Sequence, residues 1–262
     1  MAYTRERNVN QMYKNYVFDL YGTLVDIRTN ENKAYLWKKL SEFYALYGAH
    51  YEPAQLKQVF NKCVRDEEQK LYDSMKKQDG INHISDVEIK LENVFINLFN
   101  QKGVKADKTL AIHTGQMFRV ISMKYEKVYE GVFELLDELK RAGKDIYLLS
   151  NAQYIFTAYE LDALGLSEYF KGIMISSEEG CKKPSYRFYN TLLKRFNLDV
   201  KETIMIGNDQ YADIQGAKKI GLDTLYIHTD ISPDYIEDEC PAEYRILDGD
   251  FKKVSNLILK NK

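Results

Sequence analysis

The chain has 262 residues, with 37 Lys and Arg against 39 Asp and Glu, a formal net charge of −2, and an unusual 21 tyrosines. Because the charges nearly cancel and both signs are scattered, the composition lacks the electrostatic footprint of a nucleic-acid or anionic-membrane binder. The three cysteines, Cys63, Cys181 and Cys240, are widely spaced. They suggest neither a disulfide framework nor a zinc knuckle, and they fit a reducing cytosol.

The beginning of the chain, MAYTRERNVNQMYKN, lacks the apolar stretch of a signal peptide. No later run approaches the roughly 20 apolar residues that are needed to span a bilayer. We therefore expect a cytoplasmic protein with no membrane association. The sequence leaves open whether it is a monomer or a homodimer.

Short apolar runs rich in branched and aromatic residues predict five buried strands. These runs cover residues 16–18, 146–149, 173–175, 204–206 and 225–227. Helical patterns lie between the later runs, at 132–139, 188–196 and 217–220. Alternating strands and helices predict an α/β fold with a doubly wound parallel sheet, covered by helices on both faces.

The region from about residue 30 to residue 125 contains no convincing strand and several amphipathic helices. One predicted helix carries Leu36, Leu40, Phe43 and Tyr47 on its apolar stripe; Pro53 opens a second.

A third helix is predicted to begin at Ser85, because Glu88 three residues later completes a capping box. We expect a core domain from residues 1–27 and 126–262. A smaller all-helical cap, residues 28–125, is expected to close over the end of the first strand. The cap residues that face the site are expected to decide the substrate.

Polar residues follow four of the predicted strands, at the sheet edge where open α/β folds bind ligands. The candidate site residues are Asp19, Tyr21, Thr23, Ser150, Asn151, Lys183, Asn208, Asp209 and Asp213. A single Asp after a strand is often only a turn former. The complete set in this order is more specific.

At these residues the chain resembles the haloacid dehalogenase (HAD) superfamily. The matching segments are FDLYGTLVDI, YLLSNA, GCKKPSYRFY and MIGNDQYADIQGAKKIG, in that order along nearly the whole chain. The resemblance implies a Rossmann-like core, a helical cap inserted after the first motif, and hydrolysis through a covalent aspartyl intermediate.

The residue types suit these roles. Asp19 is the expected nucleophile, because a carboxylate is ionised at neutral pH and needs no base to activate it. Ser150 and Asn151 offer donors to a developing oxyanion. Lys183 supplies a positive charge that holds the nucleophile and neutralises the transferred group. Thr23 is counted with the substrate-binding residues, although shaping the turn after the strand is its simpler role.

Oxygen ligands near the nucleophile predict a bound Mg²⁺. It would be held by Asp19, by the backbone carbonyl of Tyr21, and by Asp209 or Asn208. Asp213 is a further candidate ligand, and an equally good candidate for a buried carboxylate that orients Lys183.

Tyr21 departs from the phosphatases of the superfamily, which usually carry a second Asp two residues after the nucleophile. A phenol with a pKa of about 10 can donate a proton but is poorly matched to take one back at neutral pH. This substitution favours acyl phosphates, aryl phosphates and pyrophosphates, whose leaving groups need less protonation.

Three functions remain open at this point. The preferred one is an Mg²⁺-dependent phosphatase that acts on a small phosphorylated metabolite. The second is a 2-haloacid dehalogenase, which the DxYGT pattern and Tyr189 favour; the stretch from Ala45 to Tyr51 lacks the Arg that holds the haloacid carboxylate in that subfamily. The third is a non-catalytic protein that binds a ligand or a protein through the same fold.

Overall fold

The computed structural model describes residues 13–259. Residues 1–12, on which most of the signal-peptide prediction rests, lie outside this range, as do residues 260–262. Within the described range, no helix is both long and apolar enough to cross a bilayer.

The centre of the molecule is a six-stranded parallel sheet with the order β5-β4-β1-β6-β7-β8. Its strands are β1 (Asn15–Phe18), β4 (Asp145–Ser150), β5 (Gly172–Ile175), β6 (Thr203–Gly207), β7 (Asp223–Ile227) and β8 (Tyr244–Ile246). The α/β fold class and the five predicted strands are confirmed, whereas the short β8 at the edge was not predicted. The central β1 pairs with β4 and β6, which lie more than a hundred residues further along the chain.

The middle residues of the inner strands β1, β4, β6 and β7 are mainly apolar because both faces of the sheet are buried there. In β1, Tyr16 and Phe18 pack into one apolar cluster, while Val17 packs into a second cluster on the opposite face. The first face is covered by α5 (Val132–Arg141) and α10 (Phe251–Leu259), and the second by α8 (Tyr186–Phe196). Four further elements belong to the core: α6 (Tyr154–Ala163), α7 (Ser176–Glu179), a π-helix (Gln210–Gln215) and α9 (Gly216–Lys218).

A second, two-stranded sheet joins the core to the helical insertion. Strand β2 (Val25–Thr29) pairs antiparallel with β3 (Met123–Val128). We expected no strand between residues 30 and 125. This expectation is wrong for the last residues of the segment, because β3 begins at Met123. The predicted domain boundaries fall inside this pair of strands.

The helical insertion contains α1 (Ala34–Leu46), α2 (Pro53–Met75), α3 (Leu91–Asn100) and α4 (Lys108–Ser122). The helices share an apolar cluster in which Trp37, Phe60, Phe95 and Phe118 make ring contacts, and Phe156 of α6 stacks on Phe118 from the side of the core. Tyr47 lies just beyond the end of α1 rather than in it. The predicted apolar stripes are thus packing residues.

The predicted helix start at Ser85 is wrong. Ser85 lies in a single 3₁₀ turn (Ile84–Asp86), and α3 begins only at Leu91. The Asp86 carboxylate accepts the backbone N–H groups of Asn82 and His83 and closes this turn. The chain then becomes extended, because Val87 makes an antiparallel bridge to Cys181 in the core.

Candidate active site

The first motif places Asp19 directly after the last residue of β1. Its Oδ1 atom lies 2.6 Å from Nζ of Lys183, and Oδ1 of Asp213 lies 2.8 Å from the same nitrogen. Lys183 Nζ also donates to the backbone carbonyl of Leu149 at 2.7 Å. The ammonium group has three partners and is almost completely buried, so it is fixed between the two carboxylates.

The charges of this group support one another. Burial acts against the charged form of Lys183, but Asp19 and Asp213 outweigh it and raise the pKa of the ammonium group. Burial raises the pKa of Asp213, although Lys183 opposes this effect. Lys183 therefore stays protonated and holds the Asp19 carboxylate in a fixed orientation.

Thr23 connects the first motif to the fourth. Its hydroxyl lies 3.1 Å from Oδ2 of Asp19 and 3.2 Å from Oδ1 of Asn208. Gly22 has a φ of +87°, and a Cβ atom there would lie 2.3 Å from Nδ2 of Asn208. The glycine is required both for the turn and for the close approach of the Asn208 amide.

Ser150 and Asn151 follow β4, as predicted, but they make different contacts. The Ser150 hydroxyl is buried, has no hydrogen-bond partner within the protein, and belongs to a residue that lines the cavity beside Asp19. The Asn151 side chain makes two hydrogen bonds with the backbone of Lys183, accepting its N–H at 2.8 Å and donating to its carbonyl at 2.9 Å. Ser150 can contact a ligand, whereas the Asn151 amide positions the loop of Lys183.

The fourth motif is shaped by hydrogen bonds inside its own loop. Oδ1 of Asp209 accepts the N–H groups of Tyr211 and Ala212 and caps the π-helix. Oδ2 of Asp213 accepts the N–H of Asp209 at 3.0 Å. The Tyr189 hydroxyl donates to the Ala212 carbonyl at 2.6 Å, which fixes the loop from the side of α8.

These side chains surround a cavity of about 240 Å³. It is lined by Asp19, Tyr21, Ser150, Asn151, Lys183, Asn208, Asp209, Ala212, Asp213, Ile231 and Pro233. Ile231 and Pro233 lie in the loop after β7, and the helical insertion supplies none of the lining residues. The prediction that cap residues decide which substrate is bound therefore finds no support in the residues that line this cavity.

The loop after β7 is attached to the site by hydroxyl groups. Thr229 Oγ1 donates to the Gly22 carbonyl at 2.6 Å, and Ser232 Oγ accepts from Nδ2 of Asn208 at 3.2 Å and from the Thr229 N–H at 2.9 Å. With its nitrogen bound by Ser232, the Asn208 amide directs its oxygen towards Thr23 and Asp19. The loop therefore both lines the cavity and orients Asn208.

The Tyr21 hydroxyl is bound on the side of α6. It donates to the Glu160 carboxylate and lies 3.1 Å from Oγ1 of Thr157. Arg119 of α4 donates to both oxygens of Glu160, at 2.5 Å and 3.1 Å. Burial, reinforced by Glu160, raises the pKa of the Tyr21 phenol. A phenol committed in this way is poorly suited to donate a proton to a leaving group.

The residues near Asp19 fit Mg²⁺ in part. Within residues 13–259, no group of three or more His, Cys, Asp and Glu side chains is arranged to hold a metal ion. The Thr23 hydroxyl, however, has one proton for two acceptors, Oδ2 of Asp19 and Oδ1 of Asn208. One of these two oxygens therefore accepts no hydrogen bond from Thr23 and is available to a cation. Mg²⁺ is a hard cation that can be held by one carboxylate, neutral oxygens and a substrate phosphate.

A parallel sheet with a carboxylate, an ammonium group and a hydroxyl gathered at its carboxyl edge defines an α/β protein with an aspartate-centred site. A family model described as haloacid dehalogenase-like hydrolase matches residues 13–221. The chain belongs to this family of hydrolases, and the resemblance to the superfamily is confirmed.

Two curated relatives illustrate the range of similarity. The chain is 28% identical to the HAD-hydrolase YfnB of Bacillus subtilis over 144 residues, 55% of this chain and 60% of the relative. It is 27% identical to the pyrimidine 5'-nucleotidase PynA of Streptococcus pneumoniae over 236 residues, 88% of this chain and 89% of that protein. The matched part spans between 38% and 60% of the length of the first four curated relatives.

Solved structures show the same fold. A structure of YfnB bound to magnesium superposes with a TM-score of 0.53 at 20% identity, over 95% of this chain and 99% of that one. A 2-haloacid dehalogenase from Pseudomonas syringae superposes with a TM-score of 0.63 at 16% identity, with the same coverage. Such similarity describes the fold and leaves the reaction open.

The structure brings most of the predicted site residues together, but not all of them in the predicted roles. All except Thr23 line one cavity. The Tyr21 hydroxyl and the Asp209 Oδ1 atom are engaged by other parts of the protein. Glu160, Arg119 and Ser232 were not predicted from the sequence, because neither the apolar stripe of a helix nor the composition of a loop indicates which distant side chain it will contact.

Proposed function

We propose that the chain is an Mg²⁺-dependent phosphatase that acts on small phosphorylated compounds through an aspartyl-phosphate intermediate. The observation that carries the proposal is the environment of Asp19, whose Oδ1 is bound by Lys183 and whose Oδ2 is bound by Thr23, at the wall of a small polar cavity. A fixed, ionised carboxylate needs no further activation to attack phosphorus.

In the first step, an oxygen of Asp19 forms a bond to phosphorus and the bond between phosphorus and the leaving oxygen breaks. Lys183 offsets the negative charge near the reacting group, and the unpartnered Ser150 hydroxyl is available to a phosphoryl oxygen. In the second step, water attacks the phosphorus, the acyl phosphate is hydrolysed and the Asp19 carboxylate is regenerated.

Asp19, Asn208 and the Tyr21 carbonyl would hold the Mg²⁺ ion, whose charge would offset the repulsion between the carboxylate and a phosphate dianion. Asp209 and Asp213 are less suited to this role. An oxygen of Asp209 caps the π-helix, and Asp213 is bound by Lys183 and the Asp209 N–H. Of the two residues Asn208 and Asp209, Asn208 is therefore the better candidate for a ligand of Mg²⁺.

Because the Tyr21 hydroxyl donates its proton to Glu160, it is not available to protonate the leaving group. The leaving groups of aryl and acyl phosphates depart without prior protonation, so we expect these compounds to react faster than alkyl phosphates. A 2-haloacid also needs no proton on its leaving group. It does need a cation for its carboxylate, and Lys183, already paired with Asp19 and Asp213, is the sole cationic side chain among the described residues of the cavity wall.

The test is release of inorganic phosphate from phenyl phosphate and of chloride from 2-chloropropionate, each with Mg²⁺ or with EDTA. We expect phosphate release that requires Mg²⁺, no chloride release, and loss of activity in Asp19→Asn. The exposed carboxylate of Asp79 provides a matched control, Asp79→Asn, that should retain full activity.

Chloride release that persists in EDTA would replace the proposal with the dehalogenase. No activity across a broad panel of phosphorylated metabolites would favour a non-catalytic binding protein. Unchanged phosphate release in Asp19→Asn would refute the nucleophile.

A further inference from the structure

The charge of the cavity wall bears on the class of substrate. Three carboxylates, those of Asp19, Asp209 and Asp213, face a single ammonium group, that of Lys183. That ammonium group donates hydrogen bonds to Asp19 and to the Leu149 carbonyl, and it is ion-paired with Asp213. A divalent cation would be balanced by the substrate phosphate itself. The wall therefore has no positive charge left for a second anionic group.

The nearby arginines are committed elsewhere. Arg119 is bound by both oxygens of Glu160, and Arg28 donates to the carbonyl and the carboxylate of Asp230. Lys182, next to the catalytic lysine, pairs with Glu88 at 3.4 Å. Among the described residues, these cations would have to give up existing partners to reach a ligand.

Part of the cavity wall is apolar. Ile231 and Pro233 of the loop after β7, together with Ala212, supply its apolar surface, and this loop is held by Thr229. The Asp209 carboxylate lines the same cavity and is only partly buried. A leaving group in this space meets apolar surface and a carboxylate.

We propose that the enzyme selects phosphate monoesters whose leaving group is neutral or cationic, and discriminates against leaving groups that carry a second anion such as a carboxylate or another phosphate. This inference rests on the proposed phosphatase function and adds to it the charge of the preferred substrate. The discrimination comes from the wall carboxylates, with Asp209 as the residue that acts on the leaving group.

The test compares kcat/KM for three aryl esters that differ in one substituent: phenyl phosphate, meta-carboxyphenyl phosphate and meta-(aminomethyl)phenyl phosphate. We expect the carboxylated ester to be about tenfold poorer than phenyl phosphate, from the repulsion of two charges a few ångströms apart at a wetted surface. The cationic ester should react at least as well as phenyl phosphate.

Two variants separate this effect from the intrinsic reactivity of the esters. Asp209→Asn removes the charge, and an Asn caps a helix as well as an Asp does. We expect it to reduce the discrimination against the carboxylated ester by about threefold or more. Ile231→Arg should reverse the preference, while its uncharged counterpart Ile231→Gln should leave the ratio of the two esters unchanged.

Equal kcat/KM values for the carboxylated and unsubstituted esters in the wild-type protein would overturn the inference and leave the phosphatase intact. An unchanged ratio in Asp209→Asn would overturn the role of that carboxylate and the inference built on it. Failure to hydrolyse any of the three esters would overturn the proposed function, and the substrate class with it.

Discussion

Removing one partner of the ion pair between Arg119 of α4 and Glu160 of α6, which joins the helical insertion to the core, should lower the stability of the protein. The Glu160 side chain is 3% exposed and that of Arg119 is 14% exposed. In Arg119→Met the side chain keeps its apolar stem, but Glu160 loses two hydrogen bonds and retains only those of its other neighbours. Leaving a buried charge without its partner costs about 3–5 kcal/mol, so we expect a loss of about 3 kcal/mol in the free energy of unfolding.

The double variant Arg119→Met/Glu160→Gln should be more stable than Arg119→Met alone, because it leaves no buried charge. Glu160→Gln keeps an acceptor for the Tyr21 hydroxyl and completes the double-mutant cycle. A coupling energy of at least about 1.5 kcal/mol is expected, within the range for residues in direct contact.

The assay is urea unfolding followed by two signals. The single tryptophan, Trp37, packs against Phe60 and Phe118 in the helical insertion, so its fluorescence reports on that part. Far-ultraviolet circular dichroism reports on the whole chain, and agreement between the two transitions indicates two-state unfolding. If Arg119→Met unfolds within about 0.5 kcal/mol of the wild type, or if the double variant is less stable than Arg119→Met, the reasoning is refuted.

Three further predictions concern single residues. Burial, reinforced by Glu160, raises the pKa of Glu126 to about 7. Between the ordinary carboxyl pKa of 4.5 and this raised pKa, the folded protein binds more protons than the unfolded chain. The free energy of unfolding therefore falls as the pH rises through that window. Urea unfolding on both sides of the window should show a weaker pH dependence for Glu126→Gln, and an identical slope would contradict this. Gly80→Ala should lower the stability by more than Gly103→Ala, since both glycines have positive φ but only a Cβ at Gly80 would collide, 2.7 Å from Cβ of Arg187; thermal melts that rank the two variants equally would count against the docking of this segment. Tyr21→Phe should keep kcat on an alkyl phosphate, whose leaving group needs a proton, within about threefold, because the hydroxyl is bound to Glu160; loss of a true general acid would lower kcat on that ester by about a hundredfold or more.

The core of the fold could be predicted because its signals are local. The apolar run that forms β1 and the carboxylate of Asp19 directly after it are adjacent in the sequence, and the same holds for β4 with Ser150. Parallel pairing then brings these strand ends to one edge without any further information. Only β8, β2 and β3 were missed: β8 has three residues, and β2 and β3 carry charged, partly exposed residues rather than a continuous apolar run.

The remaining features depend on contacts between distant segments. The capping pattern at Ser85 predicts a helix, but Asp86 closes a single turn instead and Val87 pairs with Cys181 in the core. The partner of the Tyr21 hydroxyl, Glu160, lies 139 positions away. No periodicity or motif identifies such a pairing, and in both cases tertiary contacts override the local preference.

The attachment of residues 80–91 to the loop of Lys183 bears on how the two parts of the chain can vary. Val87 bridges to Cys181, the Glu88 N–H donates to the Gly180 carbonyl, and the Ser185 hydroxyl donates to the Gly80 carbonyl. Two stretches that lie far apart in the sequence therefore form one structural unit. Insertions exchanged between relatives at the strands β2 and β3 would carry one half of this unit and leave the other behind. We therefore expect a transplanted insertion to need the matching loop around Lys183 as well.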